Sequence, residues 1–173
     1  MTRTPYTLVL EELDLLQRLD AYEPVVIGTP PLGIDVAGSD IDVACYATDL
    51  TAFAVALARE FGAMAGYLLY QRPVRTGPAM ICRFTHSAWS VEIFGQSVPV
   101  ADQHGVRHFH IERRLLDLLG PEFRAEITAL KAGGMATEPA FAQLLGLRGD
   151  PYQALLMLED RADDDVRRLW QFP

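Results

Sequence analysis

GTPPLGIDVAGSDIDV, residues 28–43, divides into two halves of opposite character. The first half holds Pro30, Pro31, Gly33 and Gly38, a density of breakers that makes residues 29–39 a loop. The second half alternates. Over residues 39–46, Ile41, Val43 and Cys45 fall on one side of an extended segment and Asp40, Asp42 and Ala44 on the other. Residues two apart in a strand share a face, so Asp40 and Asp42 present two carboxylates to one place. Carboxylates held so close repel one another unless a cation stands between them, and oxygen donors suit a hard divalent ion, Mg²⁺ or Mn²⁺.

An Asp-x-Asp pair alone also describes an edge strand with two solvated acids. Three further features favour the metal reading. The Gly28-Thr29 turn after the preceding strand offers backbone N–H groups and a hydroxyl to phosphate oxygens. Gly33 and Gly38 let the loop approach a ligand without Cβ clashes. A third acid, Glu92, lies between apolar Val91 and Ile93 and so faces away from the residues that anchor its strand.

Outward from this stretch, residues 8–19 read as a helix with Leu10, Leu13 and Leu16 on one face. Pro24-Val-Val-Ile27 reads as a short buried strand running into Gly28. Asp49 is placed to cap a helix through Phe61, ended by Gly62. Residues 66–75 and 79–86 read as a strand pair joined at 76–78, and 89–94 as a further strand closed by Gly95. Helices are predicted at 100–119, 122–132, 137–145 and 151–158, with the acidic stretch 159–165 extending or fraying the last. The result is one α/β domain over residues 1–173. Residues 1–99 form a mixed α/β core with a sheet and flanking helices, and 100–173 a helical C-terminal extension packed on it.

The bulk composition narrows the partners. The net charge is −8, with a single lysine, Lys131, and the arginines scattered rather than clustered. A long nucleic acid is a poor partner for such a surface, and a small molecule or a protein a better one. No apolar run approaches the roughly 20 residues of a membrane span, and the N-terminus has no signal-peptide pattern. The expectation is a cytoplasmic protein with no membrane association. Cys45 and Cys82 each lie in an apolar strand-like run and read as core thiols.

The sequence resembles the nucleotidyltransferase superfamily, whose fold is shared with DNA polymerase beta. The resemblance rests on Gly28-Thr29, on Gly33 five residues on, and on Ser39-Asp40-Ile41-Asp42-Val43. Residues 28–46, Glu92-Ile-Phe-Gly-Gln96, Arg107-His108 and Thr137-Glu-Pro-Ala-Phe-Ala142 are also similar to an uncharacterised group of small bacterial proteins in that superfamily. The resemblance implies a Mg²⁺-dependent (or Mn²⁺-dependent) enzyme. Such an enzyme moves a nucleoside monophosphate from a nucleoside triphosphate to a hydroxyl of a small molecule or a protein. Asp40, Asp42 and Glu92 would be its metal ligands and catalytic carboxylates, and Gly28, Thr29, Gly33 and Ser39 would line the phosphates.

Two departures stand out. Thr29 replaces the usual serine but keeps the hydroxyl, and Leu32 stands where small members often have an arginine. Arg107 is the candidate for the missing phosphate cation, against a reading as an ordinary solvated ion pair. If the site lacks its cation, the alternative is a catalytically weak or inactive nucleotide-binding or regulatory module of the same fold, of the toxin–antitoxin kind. A third reading takes His104 and His108, with His110 or an acid, as zinc ligands, but Gly105 weakens the helix between them. Gln96 orients a substrate group or satisfies a loop. Trp89, Trp170, Tyr67 and Tyr70 read as packing residues, with Phe94 the best candidate among the aromatics for stacking on a base.

Overall fold

The leucine-rich start of the chain forms two short helices rather than one. In the computed structural model, which describes residues 3–170, α1 spans Tyr6–Glu12 and α2 spans Leu15–Arg18. Between them Asp14 adopts a left-handed φ of 49°, a conformation that Asp tolerates better than most residues and that no α-helix continues through.

The described residues divide into two units, one of residues up to 30 with 38–106, the other of residues 31–37 with those from 107 onward. In the first unit β1 (Val25–Ile27) and β2 (Ile41–Tyr46) flank the loop, and α3 (Leu50–Phe61) follows. Asp49 caps α3 by accepting from the amides of Thr51 and Ala52 at 2.9 and 3.0 Å, satisfying two otherwise orphaned donors. Then come β3 (Leu68–Val74), β4 (Gly77–His86) and β5 (Trp89–Gln96). The sheet order is β1-β2-β5-β4-β3; β2 and β5 run parallel and every other pair antiparallel.

Among the sheet boundaries that differ from expectation, two are informative. Val74 pairs with Gly77, so the β3–β4 turn is tighter than 76–78. Gly95 does not close β5 but lies within it: a Cβ there would enter the Phe53 ring, so glycine at this point lets α3 press onto the sheet.

One sheet face is the core of this unit. Ile41, Val43, Cys45, Cys82, Phe84, Val91 and Ile93 pack with Val9, Leu15, Leu19, Phe53, Leu57 and Phe61, and the rings of Phe61 and Phe84 stack at 5.2 Å. Burying each large side chain here is worth about 1.5–3 kcal/mol, which anchors β2 and β5 firmly and fixes what their alternate residues present on the other face.

The second unit is helical. It takes in most of α4 (His104–Ala132), which follows a 3₁₀ turn at Val100–Asp102 and is interrupted at non-helical Gly120, where φ is 85° and Pro121 follows. Beyond it lie α5 (Thr137–Leu144), α6 (Pro151–Leu156, capped by Asp150) and α7 (Asp163–Arg167). The acidic stretch therefore continues into a separate short helix. Its first turn is Asp163, Asp164 and Asp165, charges that suit the positive end of the helix dipole. Phe123 sits edge-on to Phe141 and Trp170 at 5.6 and 5.0 Å in this unit's core, with Ile127, Leu155 and Val166 buried around it. Among the described residues no helix is long and apolar enough to cross a membrane.

Candidate active site

The parallel pairing of β2 with β5 makes Asp42 and Glu92 direct Cα partners. Neighbouring strands lie about 4.8 Å apart, so these two acids rise side by side from the face opposite the core. On the other flank of β2, Ile27 pairs with Asp42 and the chain turns at Gly28 with φ +81°. A Cβ on Gly28 would stand 2.5 Å from Oδ2 of Asp42. The backbone turn thus closes onto the carboxylate as only glycine permits, in both space and φ.

The two ends of the loop meet beside this turn. The Thr29 hydroxyl donates to the Ser39 hydroxyl at 3.1 Å, and the Ser39 carbonyl accepts from the Arg3 guanidinium. Arg3 itself lies over the Trp89 ring, whose indole N–H donates to the Thr4 carbonyl at 2.8 Å, so the start of the chain is tied to the start of β5. Ser39 is nearly buried and directly precedes Asp40.

The structure adds a residue that the sequence reading passed over. Arg83 on β4 is the Cα partner of Glu92; its Nε donates to Oε2 of that carboxylate, and Nη2 lies against the same oxygen as an ion pair. The Glu92 side chain is 14% exposed and that of Arg83 47%. A carboxylate withdrawn that far from water is costly unless it is paired. The pairing holds the Arg83 pKa above its ordinary value, chiefly through the hydrogen bond to Glu92, with the charge of Asp40 a smaller contribution in the same direction. Asp40 therefore shares the electrostatic neighbourhood of the Arg83–Glu92 pair.

Other expected residues are held by partners of their own. Gly33 belongs to the second unit, where it has φ +68° and a Cβ added to it would stand 3.4 Å from Nη1 of Arg124. Leu32 is 5% exposed, and its carbonyl accepts from Arg124. An arginine at that position would have to bury its charge, which accounts physically for the leucine. Arg107, also in the second unit, is forked onto Glu159, with Nε at 3.1 Å from both carboxylate oxygens. Gln96 donates to the Thr76 hydroxyl at 2.6 Å, and Gln103 to the carbonyls of Cys45 and Val98, so both hold backbone or loop. His108 is buried with Nε2 at 2.8 Å from the Tyr152 carbonyl, an arrangement that makes this nitrogen a donor and removes it from metal binding.

Among the described residues no three His, Cys, Asp or Glu side chains stand gathered around one point, and Glu92 is turned to Arg83. The donor set nonetheless suits a hard cation. Asp42 and Glu92 are adjacent, Asp40 precedes Asp42 by two positions, and the Gly28 turn adds no side chain of its own beside Oδ2.

Comparison with known proteins agrees with the fold. The chain matches solved structures of Cid1 poly(U) polymerase: one bound to MgGTP, at 14% identity and a TM-score of 0.54 over 89% of this chain and 48% of the other, and one described for its RNA terminal uridylyl transferase activity, at 13% and 0.55 over 88% and 47%. A cytoplasmic RNA terminal U-transferase matches at 14% identity and a TM-score of 0.52 over 89% and 46%. The chain spans about half the length of these structures. The mixed α/β architecture is thus that of the nucleotidyltransferase fold. No curated protein matches the sequence. The profile of the family described as a domain of unknown function, DUF4269, matches residues 8–158, and the chain belongs to that family.

Proposed function

We propose that this chain is a nucleotidyltransferase that uses Mg²⁺ or Mn²⁺ to move a nucleoside monophosphate from a nucleoside triphosphate to a hydroxyl of a small molecule or a protein. The observation that carries the reading is the alignment of Asp42 with Glu92 beside the Gly28 turn. Asp40 and Asp42 would hold the metal, and Glu92 would complete the donor set and take the proton of the attacking hydroxyl. When bound, the metal neutralises phosphate charge and makes the acceptor hydroxyl more acidic. The Gly28 backbone and the Thr29 and Ser39 hydroxyls hold the terminal phosphates, and pyrophosphate leaves. The net charge of −8 favours an acceptor other than a polyanion.

The test has two stages. Each of the four common nucleoside triphosphates with Mg²⁺ should raise the melting temperature if it binds only the folded chain. Pyrophosphate release is then measured with small hydroxyl compounds, a protein substrate panel and a short oligoribonucleotide, the last because the matched structures are of enzymes named for RNA. Asp42→Asn should lower nucleotide-dependent stabilisation and turnover by about 100-fold or more with the fold intact, as expected for loss of a metal-binding or charge-stabilising group. Unchanged nucleotide binding in that variant would overturn the site. Nucleotide binding with no pyrophosphate released from any acceptor would reduce the chain to a binding module.

A further inference from the structure

We infer that Arg83 is an exchangeable counter-ion of this site: it holds Glu92 while no metal is present, cedes that carboxylate to the divalent cation, and then turns its guanidinium to the phosphates of the nucleoside triphosphate. The inference rests on the reading of Asp40, Asp42 and Glu92 as metal ligands.

Four observations support it. The first is position: Asp42 on β2 and Arg83 on β4 are the Cα partners of Glu92 on its two flanks, so one carboxylate stands between the acid with which it would share a metal and the arginine that holds it. The second is geometry. Nε donates to Oε2 of Glu92, and Nη2 lies against the same oxygen. A metal approaching that carboxylate meets an arginine that it repels. The third is mobility: with 47% of its side chain exposed, Arg83 leaves this contact by rotating into water, whereas Glu92, at 14%, stays where it is. The fourth is chemistry. The position before Gly33 supplies no cation, because Leu32 is buried there. A guanidinium released within the field of Asp40 is a planar fork matched to phosphate oxygens.

The exchange involves no covalent step. One cation replaces another at a carboxylate, and the displaced one gains a new anion. It accounts for how a nearly buried acid remains compensated both with and without metal.

The experiment compares wild type, Arg83→Gln and Asp42→Asn, all checked for folding by circular dichroism. Arg83 is on the exposed face of β4, so glutamine leaves the core residues Cys82 and Phe84 in place. Titration with Mn²⁺ alone should show about 5–10-fold tighter binding in Arg83→Gln, because a competing positive charge has gone. Binding of a non-hydrolysable nucleoside triphosphate with Mg²⁺ should instead weaken by about tenfold or more, because a phosphate contact has gone. In wild type, Mg²⁺ should shift the Arg83 side-chain Nε–H resonance and speed its exchange with water. A static structural pair moves neither the resonance nor the nucleotide affinity. If Mn²⁺ binds wild type and not Asp42→Asn, yet Arg83→Gln binds metal and nucleotide as wild type does, the exchange is wrong and the site stands. If Mn²⁺ binds neither wild type nor Arg83→Gln, both the site and the exchange fall.

Discussion

Glu92 and Glu112 are both largely withdrawn from water, and the two units of the molecule treat them in opposite ways. Glu92, on the sheet, has a full counter-charge in Arg83, which is itself half open to solvent. Glu112, on α4, is 4% exposed. Burial pushes its pKa well above the usual carboxylate range, the nearby charge of Glu138 pushes it further, and Lys131 opposes them more weakly. Lys131 meanwhile donates to the Thr137 hydroxyl at 2.8 Å, and Glu138 lies 3.8 Å from Nδ1 of His108. One acid faces a cation; the other is driven towards its neutral form. Burial alone therefore does not fix how a carboxylate is accommodated; the counter-ion it meets matters as well.

The sharpest way to break this contrast is Gly28→Ala. The added Cβ must push the Asp42 carboxylate aside, and alanine at φ +81° is strained. Stability in urea should fall by about 1–2 kcal/mol from the left-handed backbone alone. Mn²⁺ affinity should fall by about tenfold or more, as coordination geometry is lost. Metal binding at wild-type strength would mean that the turn does not shape the site.

A smaller effect is expected from Glu112→Gln, and it depends on pH. Between the ordinary carboxylate pKa and the raised one, the native state holds a proton that the unfolded chain has released. Glu112 therefore makes stability fall as pH rises through that window. Glutamine removes the titration, so the variant should gain on wild type at pH 8 relative to pH 5. Equal pH slopes in the two proteins would show that Glu112 is not held neutral.

The smallest effect concerns Arg107. Its partner Glu159 has a pKa lowered first by the Arg107 hydrogen bond, but the two side chains are 32% and 35% exposed. Arg107→Ala should cost less than about 1 kcal/mol in urea unfolding. A loss of several kcal/mol would mean that this pair, and not only the apolar core, holds the helical unit together.

Much of this arrangement is legible in the residues themselves. Alternation over 39–46 and 89–94 marks β2 and β5, and Asp49 announces α3, because side-chain period and capping are local effects. What escapes a linear reading is long-range. Gly95 looks like a stop, yet its reason is a ring from α3. Leu32 looks like a missing cation, yet it is a buried side chain of the second unit. The break at Asp14 depends on a left-handed residue that carries no glycine signal. Arg83 was within reach. Residues 87 and 88 separate two strands, and a two-residue hairpin loop, here Ser87 and Ala88 with φ of 48° and 64°, sets the pairing. Counting three residues outward from His86 and from Trp89 arrives at Arg83 and Glu92.

The parallel pairing of β2 with β5 has a consequence for how errors in this site are suppressed. Sliding one strand by a single step would bring Glu92 into the oily layer under α3 and turn Ile93 or Val91 out of it, a penalty summed over every residue of the strand. Acids fifty positions apart along the chain thus stay level because greasy neighbours on the far side forbid any other alignment. The chemistry of one surface is insured by the packing of its reverse.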